Sequence, residues 1–161
     1  MEDFRISGVA ADESKALITV ELARPTVLGA LWERVGESQL SVLAPVFSPD
    51  GPRGDRMRVH FFGEMENESE WKRHLDRLSI DGFIAAYRFD DEQVPVSVIG
   101  QRFSQDGRAL SEIIAALAEE RIWVTIGSAS SLAVTVSVAR ARAKDAVVKL
   151  HEHFLRETHT S

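Results

Sequence analysis

The same order of apolar runs and turns passes twice through this chain, and a duplication of that kind restricts the fold more than any single motif does. In the first copy Leu17-Ile18-Thr19-Val20-Glu21-Leu22 reads as a strand, Ala23-Arg24-Pro25-Thr26 as a turn, the residues to about Glu37 as an amphipathic helix, and Leu40-Ser41-Val42-Leu43 as a second strand. In the second copy Val94-Pro95-Val96-Ser97-Val98-Ile99-Gly100 reads as a strand and Ser104-Gln105-Asp106-Gly107 as a turn. A helix to about Glu120 and a strand at Ile122-Trp123-Val124-Thr125-Ile126 follow. The repeat predicts two related small domains.

Beyond that core, Arg56-Met57-Arg58-Val59-His60-Phe61-Phe62 alternates with period two, as a strand with one buried face does. A helix opens near Asn67 or Ser69, has Glu68 and Glu70 at its positive end, and aligns Trp71, Leu75 and Leu78. After Gly82, residues 83–89 read as a further strand, completing βαββαβ. Between the second and third strands, residues 48–55 carry turn-forming residues and little to bury, and are expected as a loop. The second copy continues with a strand over Leu132–Val138 and a helix from about Arg142 to Leu155 that aligns Ala143, Val147, Leu150 and Phe154. The terminal residues are too polar for a fourth strand, while Phe4–Ala10 belongs to neither copy. An unpaired sheet edge leaves backbone donors and acceptors exposed, so the leading segment is expected to complete the second sheet. The fold class is then α+β, with one domain over residues 14–91 inserted into another made of residues 1–13 plus 92–158.

Composition is that of a globular chain: 161 residues, 44% hydrophobic and 27% charged. The absence of cysteine excludes disulfides, thiolate metal sites and a cysteine nucleophile. The amino terminus lacks a signal-peptide pattern and no apolar run reaches the ~20 residues needed to cross a bilayer, so a cytoplasmic protein without membrane contact is expected. The formal charge of -6, with no basic patch interleaved with aromatics, argues against nucleic acid as a partner.

No chemistry-bearing motif survives inspection. His151 and His153 lie two apart on a helix, about 200° around the axis, and cannot share a metal. Asp90-Asp91-Glu92 falls between two strands and reads as a solvated turn. Ser48, His60 and Asp50 or Asp55 make a triad on paper, without a nucleophile elbow or oxyanion-forming motif. The glycines at 100 and 107 have the wrong spacing for a dinucleotide fingerprint, and no Walker-type segment is present. Trp32, Trp71 and Trp123 sit in apolar periodic segments and read as core or interface residues. Neither a cofactor nor a metal is expected.

Over nearly all its length the chain resembles the C-terminal regulatory region of aspartate kinase, a tandem of ACT domains with ferredoxin-like sandwiches. The residues that carry the resemblance are Ile6–Ala10 followed by Ala16–Val20, the bridge Gly82–Asp91, and Val96–Gly100. To these add Asp106-Gly107 with Ile113–Glu119 and Ile122, then Ser128–Leu132, and finally Ala146–Phe154. The resemblance implies a non-catalytic chain that binds an end-product amino acid, lysine or threonine, at a dimer seam for feedback inhibition. The partners it implies are a second copy, a kinase catalytic domain or subunit, and the small amino-acid effector. The exposed edges at 40–47 and 122–127 motivate the homodimer.

The effector contacts implied are Ala23, Arg24, Pro25, Thr26, Val27, Phe47 and Ser48 in the first copy, with Gln105, Asp106, Gly107, Ile126, Gly127 and Ser128 in the second. A strand-to-helix turn suits a carboxylate, because its free N–H groups and the helix dipole face the ligand. The family usually opens this turn with an aspartate that takes the ligand's ammonium and closes it with glycine. Here those places hold Ala23 and Thr26, and Phe47-Ser48 replaces the usual Gln-Asn. An ammonium desolvated without a counter-charge is disfavoured by several kcal/mol. The first copy is therefore either a scaffold without ligand or a site for a different one, with Arg24 as an anion contact. Asp106 is expected to cap the helix that follows it. Fragment, separate subunit and free-standing relative all remain compatible with the sequence.

Overall fold

The computed structural model describes residues 5–101 and 107–155. Along the chain these form β1 (Arg5–Ala11), β2 (Lys15–Leu22), α1 (Leu28–Ser38, led by a 3-10 turn Pro25–Val27), β3 (Leu43–Asp50) and β4 (Arg56–Glu64). Then come α2 (Glu68–Ile80), β5 (Ile84–Asp90), β6 (Gln93–Gln101), α3 (Arg108–Glu119), β7 (Gly127–Ala129), β8 (Ala133–Ala139) and α4 (Ala143–Leu155). The chain divides into two compact units, one spanning Ser14–Asp91 and the other combining residues on either side of it.

Each unit is an α+β sandwich with one four-stranded antiparallel sheet, ordered β3-β4-β2-β5 in Ser14–Asp91 and β7-β8-β6-β1 in the other. Counted within each copy, both orders are second, third, first, fourth, and β1 occupies the place that β5 has in its own sheet. The β1–β6 ladder pairs Val9 with Val98 and Ala11 with Val96, and shifts register between Ile6 and Gly8.

Period-two alternation decides which face each sheet buries. In Ser14–Asp91, Ile18, Val20, Leu22, Val59 and Phe61 are buried with Leu31 and Val35 of α1 and Trp71, Leu75 and Leu78 of α2. The indole of Trp71 reaches β4 because residue 63 is glycine: a Cβ there would sit 2.6 Å from Trp71 Nε1 and 2.9 Å from Ile18 Cδ1. Phe61 lies 5.1 Å from Trp71 and 5.8 Å from Trp32, ring centre to ring centre, so three aromatics share one core. The other unit is built from finer pieces. Six valines at 94, 96, 98, 134, 136 and 138 face Ile113, Leu117 and Leu150, and the small Ala109, Ala116, Ala143 and Ala146 let α3 and α4 lie close to them.

Three expectations are corrected. Residues 40–42 are not strand: α1 ends on a left-handed Gln39 (φ 59) and β3 begins at Leu43, followed by a left-handed Ala44 (φ 50) where the pairing with β4 shifts register. The expected loop over 48–55 shortens to Gly51–Asp55, because Ser48, Pro49 and Asp50 pair with Arg58, Met57 and Arg56, and Asp50 Oδ2 lies 2.8 Å from Arg58 Nη2. Residues 122–126 form no strand either. Arg121 N–H donates to Ala118 O and Ile122 N–H to Leu117 O, a Schellman closure of α3 that ties down the start of the segment. Pairing with β8 starts irregularly, with Ser137 N–H donating to Ile126 O at 2.8 Å, before the short β7 takes over.

That closure puts Arg121 at φ 56, where an L side chain meets the following carbonyl. The equivalent position after α2 is Gly82, at φ 76, with the same pair of hydrogen bonds to Ser79 and Leu78. Arg121→Gly is therefore expected to stabilise the protein by about 0.5–1 kcal/mol, read as a rightward shift of a urea unfolding curve at unchanged slope. A destabilised variant would mean that the Arg121 side chain contributes more than its backbone strain removes.

Candidate functional site

The strand-to-helix turn after β2 is held by its backbone. Ala23 N–H donates to Phe83 O at 3.1 Å and Val27 N–H to Arg24 O at 3.3 Å, closing the 3-10 turn. Ala23, Arg24 and Thr26 are exposed, Pro25 is half-buried and Val27 is in the core. Proline at the first helical position supplies a preset φ, but neither Arg24 nor Val27 caps the helix through its side chain, and the first turns of the 3-10 segment and of α1 carry no acid. The turn thus offers helix-end N–H groups without a carboxylate to receive an ammonium.

Phe47 and Ser48, adjacent on β3, project to opposite faces of the sheet. Ser48 stands in the cross-strand row Glu21–Arg58–Ser48 on the face away from the helices. There Arg58 Nη2 lies 3.1 Å from Glu21 Oε1 and 2.8 Å from Asp50 Oδ2, so two carboxylates converge on one guanidinium. One step along, His60 stands between Thr19 and Val46, with its Nδ1 2.9 Å from Thr19 Oγ1. The triad drawn from the sequence is not assembled, since His60 meets a threonine and Asp50 an arginine. These contacts were foreshadowed only by the alternation of Arg56, Arg58 and His60 with apolar residues on β4.

Burial first, and the neighbouring Arg58 charge second, push the His60 imidazole below its ordinary range. The unfolded chain then binds a proton that the folded chain refuses, so stability rises with pH through that window. The contribution of His60 is expected to be complete above about pH 6.5 and to be lost as pH falls from there through the depressed folded value. In His60→Asn this part of the slope should disappear from unfolding free energies measured between pH 5 and 7.5; a retained slope would assign it to other groups.

Phe47 belongs instead to the helix side, 52% exposed at the sheet edge. It borders an open surface depression lined by Trp32 and Val35 of α1, Leu40 and Val42 of the connection, and Pro45 of β3. Gly36, Gln39 and Ser41 complete the lining, which carries no charged residue. No residue pattern in the sequence announces this depression; it forms because α1 stops at a left-handed residue and the chain swings out before re-entering the sheet.

In the other unit Gly107 is exposed at the start of α3, while Gln105 and Asp106 lie outside the described residues. Ile126 is half-buried and its carbonyl is bonded to Ser137. Gly127 and Ser128 pair with Val136 and Thr135. Ser128 therefore extends a row of hydroxyls: Ser97 Oγ lies 2.8 Å from Thr135 Oγ1, and Ser137 Oγ and Thr125 Oγ1 donate to Gln93 Oε1 at 2.6 and 3.3 Å. Trp123 is 71% exposed and is not a core residue. Among the described residues no group of three metal-ligating side chains converges. His153 faces Glu112 and Phe154, Asp90 pairs with Arg88 at 2.9 Å, and among the described residues no helix is long and apolar enough to cross a membrane.

No protein-family model and no curated protein matches the sequence. Solved structures do match. The structure of aspartokinase alpha and beta subunits superposes with a TM-score of 0.79 at 23% identity, covering 93% of this chain and 99% of that one. The regulatory subunit of aspartate kinase from Thermus thermophilus gives 0.81 at 18% identity, covering 92% and 98%. Aspartate kinase from Synechocystis gives 0.83 at 24% identity over 96% of this chain, which spans 28% of that protein. The fold of this chain is that of aspartate kinase regulatory subunits and regulatory domains, not of a catalytic domain.

Proposed function

We propose that this chain is a regulatory module of aspartate kinase, a cytoplasmic, non-catalytic partner of a kinase catalytic domain or subunit. The observation that carries this reading is end-to-end coverage: the sandwich pair accounts for 98% of a regulatory subunit with a TM-score of 0.81. On this reading Ser14–Asp91 is an ACT-like domain inserted into a second one that β1 completes, a reading supported by the antiparallel pairing of β1 with β6 and by the shared strand order. A homodimer is part of the proposal, motivated by large apolar side chains left in solvent on the second unit: Trp123, Leu132 and Ile99, at 71%, 63% and 45% exposure.

Within that role the effector would be an end-product amino acid, lysine or threonine, bound at the seam between copies. Its contacts would be Ala23–Val27, Phe47 and Ser48, or Gln105–Gly107 with Ile126–Ser128. A ligand there regulates only by binding one arrangement of subunits better than another. The acid-free turn at Ala23–Val27 favours a second reading for the first unit, a dimerisation scaffold that has lost its ligand. Reconstitution with the aspartate kinase catalytic subunit of the source organism tests both readings. Sensing requires phosphoryl transfer to aspartate to become inhibitable by lysine or threonine only when this chain is present. Assembly without inhibition would leave the scaffold, and failure to assemble would remove the regulatory role.

A further inference from the structure

We propose that Arg140 is the clasp of a two-segment hinge, tying the connection by which the chain leaves for Ser14–Asp91 to the one by which it returns. The first connection is residues 12–14, between β1 and β2, and the second is residues 91–92, between β5 and β6. In the 3-10 turn Arg140–Arg142 that follows β8, the Arg140 backbone N–H donates to Glu92 O at 2.7 Å. Its guanidinium Nη1 donates to Glu13 O, also at 2.7 Å. Glu13 is the last residue before Ser14–Asp91 and Glu92 the first after it, and both belong with Arg140 to the same compact unit. One residue thus bonds the exit and the return.

Comparison of the two copies separates what the fold needs here from what the side chain adds. In each copy the residue before the first strand accepts from the residue after the third: Ser14 O from Met65 N–H at 2.8 Å, and Glu92 O from Arg140 N–H. The adjoining ladder pairs, Lys15 with Glu64 and Gln93 with Ala139, put the two positions in correspondence. The backbone bond is therefore common to both copies. In the first copy the position is filled by a methionine, 37% exposed. In the second, whose strands β1 and β6 lead into the two connections, it carries a cation that reaches from one connection to the other.

Charge supplies the reason. The connections read Asp12-Glu13-Ser14 and Asp91-Glu92, four carboxylates in five residues, with no proline to stiffen the backbone. Segments of like charge held near one another repel, and short stretches at element ends are where a hinge absorbs changes of φ and ψ. A guanidinium donating to a carbonyl makes a charge-assisted hydrogen bond and adds a positive charge where the two acidic segments meet. Asp12 N–H, which donates to Pro95 O at 3.0 Å, lies on the clasped stretch and reports on it.

What the hinge means for regulation rests on the aspartate kinase reading, whereas the clasp is read on this chain alone, so the two can fail separately. The test compares the full chain with Arg140→Met, which installs the residue of the other copy, and with Arg140→Lys, which keeps the charge. In the wild type a single alignment tensor should fit the N–H dipolar couplings of both units. Arg140→Met should require two tensors and exchange the Asp12 amide about tenfold or more faster, while the amides of β6 and β8 keep their protection. About 1 M salt, which shortens the Debye length to ~3 Å, should restore part of the Asp12 protection in Arg140→Met, and Arg140→Lys should fall between that variant and the wild type. Two tensors in the wild type would overturn the clasp, as would either a single tensor or an unchanged Asp12 amide in Arg140→Met. So would protection lost evenly through β6 and β8, which would make Arg140 an ordinary stabiliser of its own unit.

Discussion

Trp71→Ala is expected to lower the unfolding free energy by about 3–5 kcal/mol, the largest effect of any single truncation in the Ser14–Asp91 unit. The indole is 1% exposed, stacks at a tilt on Phe61, and fills a recess that exists only because Gly63 has no side chain. Alanine would leave that recess empty between α2 and β4, and neither element can collapse into it without breaking its own hydrogen bonds. The complementary change, Gly63→Ala, approaches the same contact from the other side and should cost about 1–3 kcal/mol by overpacking. Trp71→Phe should be milder than its volume loss implies, because the indole Nε1–H meets no acceptor among the described residues and its removal relieves a buried unsatisfied donor. Urea unfolding at constant slope measures all three; a Trp71→Ala loss under about 1 kcal/mol would show the recess closing by itself.

Leu150→Ala is expected to cost about 2–5 kcal/mol in the other unit, where Leu150 is fully buried among the β6 and β8 valines and the apolar residues of α3. Its value lies in where the damage spreads. β1 pairs along β6 and packs against α4, so amide exchange in residues 6–11 should accelerate together with residues 93–101 and 133–139. Strands β2 and β4 should keep their protection. In Trp71→Ala the pattern should reverse, with β1 protected and β2 exposed to exchange. If β1 instead followed β2, the proposed inserted-domain arrangement would lose its energetic support.

Much of the architecture was legible because period and chemistry agreed over long stretches. Residues 17–22, 56–62, 94–100 and 132–138 alternate or run apolar with β-branched side chains, and each lies within a strand of the structure save Leu132, which precedes β8. Two of the misread pieces are short and lie where a helix hands over to an edge strand. Leu40–Val42 and Ile122–Ile126 have strand composition, yet their backbone conformation is set by how the preceding helix closes, through Gln39 and Arg121 in left-handed geometry. Neither residue is a glycine, so no local signal marked the closure. Ser48–Asp50 erred the other way: proline and aspartate read as loop, but Arg58 on the neighbouring strand holds them in β3.

The site divides along the same line. That Ala23 and Thr26 stand where the resemblance leads one to expect an acid and a glycine is a fact of the sequence, and it already weakened the case for the usual ligand. That Phe47 and Ser48 serve different faces, that Arg58 gathers Glu21 and Asp50, and that an uncharged depression opens between α1 and β3 emerge only from strand pairing and helix placement. By itself the sequence determined the duplicated order of strands and helices and which residues are apolar enough to form two cores, since those depend on periodicity within each segment. The tertiary structure decided which charges meet and where space remains, because these depend on residues distant in sequence being brought within a few ångströms by sheet register.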